Sequence, residues 1–149
     1  MAETLDDTDW AILAELQQDG RLALTELGKR VSLSASAATE RVRRLEALGV
    51  ITGYRAEVDL GKVGLGVLAV VRLKFPGNRH EPLHRLLAER AELLECLRTT
   101  GDDCYTLKVA ATSMAHLEQL MGELARFGST TTNVVYSQTL PYRGPRKPA

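Results

Sequence analysis

The sequence predicts an α+β fold in two domains, because the spacing of its apolar residues changes partway along the chain. Over residues 5–48 apolar residues recur at the three- and four-residue intervals of helices, whereas residues 67–140 alternate strand-like and helical runs. The four glycines within residues 50–66 indicate a boundary between these parts. The expected division is a first domain at 1–50, a strand or linker at 51–66, a second domain at 67–140 and a flexible tail at 141–149.

Three helices are predicted in the first domain. Asp6 or Asp7 would cap the first of them, which places Leu5 and the apolar residues up to position 16 on its inner side. Thr25 would cap a short second helix, and Ser34 would cap the third. The expected core face of the third helix consists of Ala38, Val42, Leu45 and Leu48.

The second domain reads as strand, helix, two strands joined by a turn, helix and strand. The predicted strands are 67–75, 93–100, 104–112 and 130–140, and the helices run to about residue 91 and onward from Ser113. This βαββαβ order is that of ferredoxin-like domains, which carry their helices on one face of the sheet. The other face is also apolar at Leu68, Val70 and Val135, which predicts burial against another subunit.

Composition and charge exclude several classes of protein. Of 149 residues, 44% are hydrophobic and 26% are charged, which suits folded domains. No run approaches the ~18 apolar residues of a membrane span, and the acidic start does not resemble a signal peptide, so a cytoplasmic protein is expected. The balance of 19 basic and 19 acidic residues does not exclude nucleic-acid binding, because binding depends on local clustering of charge.

Cys96 and Cys104 flank a predicted turn at residues 101–103. A hairpin centred there would set Cys96 opposite Lys108, too far from Cys104 for a disulfide. Two partly buried thiols are therefore expected, as in a reducing compartment.

The stretch TELGKRVSLSASAATERVRRL (25–45) predicts a helix-turn-helix, a unit whose second helix enters the major groove of DNA. Residues 29–44 hold five cations and one acid, whereas residues 1–28 hold one cation and seven acids. A strand or hairpin at 51–66 would make this domain a winged type. The alternative is a solvated basic face, paired with Glu40 and other acids along the same helix.

Short side chains at the start of the third helix would let its backbone approach the DNA closely. Arg43 would reach a base or a phosphate, whereas Arg41 and Arg44 would contact phosphates, which position a protein without reading sequence. Thr25 and the first amides of the second helix would face another phosphate. The candidate DNA-binding residues are Thr25, Ser34, Ser36, Ala37, Thr39, Glu40, Arg41, Arg43 and Arg44.

Residues 80–84 read HEPLH, the letters of the H-E-x-x-H zinc motif, which needs both histidines on one helical face. Pro82 is best tolerated in the first turn of a helix, so the helix is predicted to begin near Glu81. His80 would then lie at or before the cap, away from the face that carries His84. The sequence therefore predicts no metal site and no catalytic residue, although a zinc enzyme stays an alternative.

Several motifs of the first domain follow one another in a known order. They are LDDTD (5–9), DGR (19–21), LS (33–34), RVRRLE (41–46) and GVITGY (49–54). With them, residues 5–59 resemble the N-terminal domain of the Lrp/AsnC (feast/famine) transcription regulators. The βαββαβ half resembles the effector-binding and assembly domain of that family, and TTGDDCYTLKV (99–109) resembles its turn signature.

The resemblance implies a sequence-specific DNA-binding transcriptional regulator that is not an enzyme and needs no cofactor. It also implies double-stranded DNA as partner, assembly into dimers and rings of four dimers, and response to an amino acid held between dimers. The alternative is an amino-acid-sensing module that does not regulate DNA directly.

Carried onto this chain, the resemblance places the effector at a loop after the second strand. The loop residues are Thr100, Gly101, Asp102, Asp103, Cys104 and Tyr105. Many members have aspartate where Cys104 stands, so the ligand or its affinity is expected to differ here. The loop can also be read as a plain hairpin turn with solvated acids, because aspartate and glycine are common in turns.

Overall fold

The computed structural model describes residues 4–148; residues 1–3 and residue 149, at the ends of the predicted first domain and tail, lie outside the described residues. The chain divides into two compact units. The first comprises Met1–Glu57 with Leu140–Ala149, and the second comprises Val58–Thr139. Among the helices of residues 4–148, none combines the length and the apolar character that a membrane-spanning helix requires.

The first unit is built from three helices, α1 (Asp7–Gln18), α2 (Leu24–Arg30) and α3 (Ala35–Ala47). They enclose a small core in which the fully buried side chains come from all three helices. These side chains are Ile12, Leu27, Ala38, Val42 and Leu45. The predicted helical half of the α+β fold is therefore confirmed.

Two of the predicted helix caps are confirmed and one is wrong. Asp6 caps α1, accepting a hydrogen bond from the Asp9 amide at 2.8 Å, and Ser34 caps α3. The expected cap Thr25 is instead exposed inside the first turn of α2, which begins one residue earlier. Ala23 occupies the cap position and makes no side-chain hydrogen bond there, so the start of α2 depends on packing rather than on a cap.

The predicted burial of Leu48 is wrong, because this residue is 41% exposed. The helix α3 ends at Ala47, and Gly49 then takes a left-handed conformation with φ +70°. The amides of Val50 and Ile51 both fold back onto the Leu45 carbonyl, at 2.9 and 3.1 Å. Side chains that follow the glycine thus replace Leu48 on the core.

The predicted strand or hairpin at residues 51–66 is also wrong, since this segment contains only turns and irregular backbone. No strand occurs in residues 4–57 or 140–148, so the described part of the first unit is a helix-turn-helix without a wing. The physical reason lies at its start. The amides of Val50 and Ile51 are bonded to the Leu45 carbonyl, so they are not available for strand pairing.

The second unit has the predicted ferredoxin-like order. Its elements are β1 (Val67–Lys74), α4 (Glu81–Glu89), β2 (Leu93–Arg98), β3 (Tyr105–Ala111), α5 (Met114–Leu124) and β4 (Ser129–Val134). The four strands form one antiparallel sheet in the order β2-β3-β1-β4. The last strand is shorter than predicted, because pairing ends at Val134 and the Val135 amide makes a final bond to the Leu68 carbonyl at 2.8 Å.

Alternate residues of the sheet form the core of the second unit, as predicted. Ala69, Val71 and Leu73 of β1 are fully buried, and in β3 the residues from Tyr105 to Ala111 that share their face are buried with them. The helices contribute Leu83, Leu117, Leu120 and Leu124. The opposite face carries Val70, which is 37% exposed, beside the half-buried Leu68 and Val135.

The register of β2 differs by one residue from the prediction. Cys96 lies opposite Leu107, and Glu95 is the residue opposite Lys108. The Thr99 amide bonds to the Cys104 carbonyl at 2.8 Å, so the hairpin is centred between Gly101 and Asp102. Both cysteines are free and partly buried, and burial raises the pKa of the Cys96 thiol.

The C-terminal segment lies on the first unit, although the sequence predicts a flexible tail. Gln17 donates to the Pro145 carbonyl at 3.1 Å, and Lys147 pairs with Asp7 at 2.5 Å. The Arg55 guanidinium lies 5.5 Å from the centre of the Tyr142 ring. These contacts give the segment a defined path, and its mobility in solution stays a prediction.

Candidate nucleic-acid interface and effector loop

The turn between α2 and α3 is unusually close to α2, and Gly28 is the reason. The Gly28 carbonyl accepts from the Leu33 amide at 2.8 Å, and a Cβ on Gly28 would lie 2.8 Å from the Leu33 carbonyl oxygen. The turn also contains Ser32 in a left-handed conformation, with φ 58°. A buried glycine therefore sets the distance between the two helices that form the predicted DNA-reading unit.

The helix α3 presents a polar face opposite its core face. Ser36, Glu40 and Arg43 are exposed, and their spacing of four and three residues puts them on one side of the helix. Within residues 4–148, Arg43 makes no hydrogen bond and no ion pair. Its guanidinium is thus available to a base edge or a phosphate.

The hydroxyl groups at the start of α3 are engaged with the helix itself. Ser34 Oγ accepts from the Ala37 amide at 3.1 Å and lies 3.1 Å from Ser36 Oγ. Thr39 Oγ1 donates to the Ala35 carbonyl at 2.7 Å. With its proton used in this way, Thr39 offers a DNA base a lone pair and a methyl group rather than a donor.

Arg41 and Arg44 contact acids of α1 rather than acids of their own helix. Arg41 Nη1 lies 2.8 Å from Asp6 Oδ2 and 2.9 Å from Asp9 Oδ1, and Arg44 Nη2 lies 2.5 Å from Asp9 Oδ2. The hydrogen bond from Arg41 lowers the pKa of the Asp6 carboxyl and raises that of Arg41. The four side chains Asp6, Asp9, Arg41 and Arg44 are called the acid–arginine cluster below.

Sequence reasoning missed these partners because they are 32 to 35 residues away along the chain. The signal was present in the motifs LDDTD and RVRRLE, which hold all four residues of the cluster. Taken alone, the first motif indicates a helix cap and the second a basic face, and neither identifies the other as its partner. Whether Arg41 and Arg44 also touch phosphates stays a prediction.

The remaining cations of the predicted basic cluster are also paired. Arg30 lies 2.9 Å from Glu15 and 3.3 Å from Glu26, and Lys29 lies 3.7 Å from Glu26. Together with the acid–arginine cluster, these pairs leave Arg43 as the uncompensated cation of residues 29–44. Among residues 29–44 the unpaired positive charge therefore lies at one position of α3.

The predicted effector loop connects β2 to β3 and presents its first residues to solvent. Thr100, Gly101 and Asp102 are exposed, and Gly101 adopts φ +101°, a conformation that favours glycine. Asp103 is half-buried, accepts from Thr99 Oγ1 through its carbonyl at 2.9 Å and lies 3.5 Å from Arg72. Exposed and anchored acids thus alternate within one turn.

The last residues of the predicted loop belong to the core of the second unit. The Cys104 thiol lies 3.7 Å from the Phe75 carbonyl, and Tyr105 is buried as the first residue of β3. A ligand at this loop would therefore meet the exposed residues first. Their assignment to an effector stays a prediction.

The prediction that His80 and His84 lie apart is wrong, although α4 does begin at Glu81 with His80 as its cap. The cap residue keeps a helical backbone, with φ −84° and ψ −18°, so the two rings stack with centroids 6.0 Å apart. Both rings reach the Tyr105 hydroxyl, His80 Nδ1 at 2.8 Å and His84 Nε2 at 3.1 Å. Among the described residues, no cluster of three histidine, cysteine or acidic side chains is placed to hold a metal ion.

Arg98 belongs to the same group of side chains, which is called the histidine–tyrosine cluster below and consists of His80, His84, Arg98 and Tyr105. Arg98 Nη2 lies 3.4 Å from His80 Nε2, and a guanidinium can only donate. A hydrogen bond there needs His80 Nε2 as the acceptor, and the tautomer that provides it carries its proton on Nδ1, facing the Tyr105 oxygen. In that tautomer the Tyr105 hydroxyl can donate to His84 Nε2.

Two models of known protein families match this chain, one for each of the two structural units. Residues 5–46 match the AsnC-type helix-turn-helix domain, and residues 68–145 match the Lrp/AsnC ligand binding domain. The chain belongs to the Lrp/AsnC family of transcription regulators. The predicted resemblance is confirmed, and the protein is a helix-turn-helix transcriptional regulator of this family.

Lrp/AsnC relatives match nearly the full chain. The protein is 35% identical over 134 residues to the HTH-type transcriptional regulator LrpC of Bacillus subtilis, covering 90% of this chain and 93% of LrpC. The structure of LrpC superimposes with a TM-score of 0.89 at 34% identity, over 94% of this chain and 100% of that one.

Two further similar structures are complexes with an amino acid. The feast or famine regulatory protein of Mycobacterium tuberculosis complexed with L-methionine has a TM-score of 0.89 at 31% identity, over 97% of this chain and 100% of its own. A transcriptional regulator of Neisseria meningitidis in complex with L-methionine has a TM-score of 0.86 at 29% identity, over 94% of both chains.

Proposed function

We propose that this Lrp/AsnC regulator reads a two-fold-symmetric DNA site with paired helix-turn-helix units, each placing α3 in the major groove. The observation that carries the proposal is the exposed face of α3, where Arg43 has a free guanidinium among cations that are otherwise paired. Half-sites would lie about one helical turn apart, ~34–36 Å, as for other dimeric helix-turn-helix proteins.

The proposed contacts divide into reading and positioning. Arg43 donates to a guanine edge or a phosphate, and the acceptor oxygen of Glu40 suits a cytosine amino group. Thr25, at the exposed start of α2, contacts a phosphate. The short residues that let the α3 backbone approach the bases are Ser34, Ser36, Ala37 and Thr39.

We further propose that the first unit is the DNA-binding domain and the second unit is the effector-binding and assembly domain. The apolar outer face of the sheet, with Leu68, Val70 and Val135, supports pairing of two copies, and four such dimers would form an octamer. The protein would act in the cytoplasm, where DNA is accessible and free thiols persist. Its named relatives are regulators, which supports a role without enzymatic activity.

The proposed effector is an amino acid bound at residues 100–105, because two similar structures are complexes with L-methionine. An amino acid needs an acid for its ammonium group, and the exposed Asp102 carboxylate supplies one. Asp103 is less suited, since it lies 3.5 Å from Arg72. Cys104 offers a thiol in place of a second exposed carboxylate, which favours an effector of lower charge.

The test of DNA reading is selection of bound fragments from a random pool, at two salt concentrations, by wild type and Arg43→Ala. Loss of a base contact should relax the preference at one position of each half-site, a cost of ~1–3 kcal/mol or about fivefold to 150-fold. Arg85→Ala is the matched control, an exposed arginine on α4 that should change nothing. If Arg43→Ala leaves both the preference and the salt dependence unchanged, α3 is not the reading element.

The same selection, repeated with each of the twenty amino acids, tests the effector. One or a few should change operator affinity, and Asp102→Asn should abolish that response without changing affinity in their absence. Glu57→Gln, an exposed acid outside the loop, is the control. Amino-acid binding without any selected DNA would favour the alternative of a sensing module that does not regulate DNA directly.

A further inference from the structure

We propose that Asp9 is a positioning residue for the recognition helix, and that Arg41 and Arg44 hold α3 through Asp9 instead of contacting DNA phosphates. This inference rests on the proposed reading of DNA by α3. It assigns the acid–arginine cluster to sequence discrimination, by fixing the rotation of α3, rather than to general affinity.

The Asp9 carboxylate accepts three hydrogen bonds, two from arginines of α3 and one from the backbone at the start of α1. Its Oδ1 lies 2.9 Å from Arg41 Nη1, and its Oδ2 lies 2.5 Å from Arg44 Nη2 and 3.2 Å from the Asp6 amide. The side chain is 1% exposed, so no solvent replaces a missing partner. A buried carboxylate held in this way has one orientation, set by the first turn of α1.

The two arginines bind one carboxylate from positions three residues apart on α3. Because such residues are neighbours on a helix surface, the pair restrains rotation of α3 about its own axis. A rotation of ~20° would move a side chain at about 5.5 Å from the axis by ~2 Å. That displacement exceeds the width of a hydrogen-bond distance range, so Arg43 on the outward face would lose its base contact.

Charge also argues against a phosphate role for these arginines. Two carboxylates face two guanidinium groups, so the cluster is neutral and contributes little long-range attraction to DNA. Moving Arg44 onto a phosphate would leave the buried Asp9 with one fewer partner, which is costly for a desolvated charge. Arg43, which lies between them in sequence, makes no ion pair within residues 4–148, so contact with DNA would cost it no buried partner.

The salt dependence of binding separates the two roles. A residue that neutralises a phosphate contributes about 0.9 to the slope of log K against log salt, whereas a positioning residue contributes nothing to it. For Arg44→Ala we expect operator affinity to fall tenfold or more while the slope, measured on operator and on random DNA, stays at the wild-type value. A slope whose magnitude falls by about 0.9 for each bound copy of the chain, about 1.8 for the proposed dimer, on both DNAs would overturn the proposal.

Asp9→Asn, which keeps the shape of the side chain, is the second variant. We expect its ratio of operator to random-DNA affinity to fall tenfold or more, with random-DNA affinity unchanged or higher because two arginines are released. Glu123→Gln is the matched control, since it breaks another acid–arginine pair, with Arg90 at 2.8 Å, in the second unit. An unchanged ratio for Asp9→Asn would also overturn the proposal.

Folding and the reading role of α3 are checked in the same samples. Trp10, the single tryptophan, lies in α1, and its fluorescence reports whether the first unit is folded at the assay temperature. If Asp9→Asn is unfolded, Asp9→Glu keeps the charge, and its operator ratio should fall between wild type and Arg44→Ala. If Arg43→Ala relaxes the preference and Asp9→Asn does not, only the positioning role fails; if neither does, the reading role fails.

Discussion

The two units of this regulator differ in the kind of polar group that each one buries and in the partners that bind it. In the acid–arginine cluster the buried group is a carboxylate, Asp9, 1% exposed and bound by two guanidinium groups. In the histidine–tyrosine cluster the buried group is an uncharged hydroxyl, that of Tyr105, a residue 2% exposed and hydrogen-bonded to two imidazole rings. Each cluster ties the first turn of a helix to another element of its own unit.

The difference between the clusters is one of charge, and it sets how each unit responds to substitution and to pH. A buried ion loses more when a partner is removed than a buried hydroxyl does, because its desolvation is more costly. Burial raises the pKa of Tyr105, so its contribution is present below the usual tyrosine pKa of about 10 and is lost as pH rises above it. The acid–arginine cluster should instead lose its stabilising contribution at low pH.

The largest expected effect is that of removing both arginines from the ionic cluster. Arg41→Met with Arg44→Met leaves Asp9 buried with only an amide, which should lower the free energy of unfolding of the first unit by about 3–5 kcal/mol. Urea unfolding of the full chain, followed by Trp10 fluorescence, measures it. Arg43→Met, an equal change on the same helix, should stay within about 0.5 kcal/mol, and similar losses for both would remove the distinction.

Removing the hydroxyl from the neutral cluster should cost less. Tyr105→Phe leaves both histidine nitrogens without their shared partner, and His84 is exposed to water, so about 1–2 kcal/mol is expected. Hydrogen exchange of the β1 and β3 amides measures the opening of the second unit. Tyr136→Phe loses the same oxygen from a fully exposed side chain of that unit and should leave exchange unchanged.

Apolar periodicity was sufficient to predict most of the fold, because the buried faces of the strands and of α3 repeat regularly. It failed where a local interaction competes with the pattern. Leu48 continues the helical spacing of Val42 and Leu45, but the left-handed Gly49 ends the helix and Ile51 fills its place. The register of Cys96 was wrong by one residue, because spacing alone does not define the centre of a turn.

The polar clusters were harder to predict than the core for a different reason. A hydrophobic residue needs only an apolar neighbourhood, whereas Arg41 and Arg44 need one particular acid 32 to 35 residues away. The histidine pair failed similarly. Pro82 correctly placed the start of α4, but it did not exclude a helical backbone at His80, and the Tyr105 hydroxyl that joins both rings is remote in sequence.

A smaller effect should appear when the ionic cluster is titrated with acid. The hydrogen bond from Arg41 lowers the pKa of Asp6 below 3.8, so the stabilisation is complete above that pH and is lost as pH falls through the lower, folded-state pKa. The free energy of unfolding, measured with urea at several acid pH values and followed by Trp10 fluorescence, should therefore depend less steeply on pH in Asp6→Asn than in wild type. Asp7→Asn is the control at the neighbouring, more exposed carboxylate, and identical changes in both variants would contradict the prediction.

The smallest expected effect on stability is that of removing Arg98. This substitution tests instead where the protons lie in the histidine–tyrosine cluster. Arg98→Met removes a long, exposed hydrogen bond of 3.4 Å, so the free energy of unfolding should change by less than about 0.5 kcal/mol. The donor that forces His80 Nε2 to accept is nevertheless gone. Nitrogen-15 chemical shifts of the histidine rings should show one tautomer of His80, protonated at Nδ1, in wild type and a mixture in Arg98→Met.

Arg85→Met, on the exposed surface of α4, should leave the ring shifts of His80 as they are. A wild-type ring already protonated at Nε2 would reverse the order of donors from Arg98 to His84, and the direction of every hydrogen bond in the cluster would have to be reassigned.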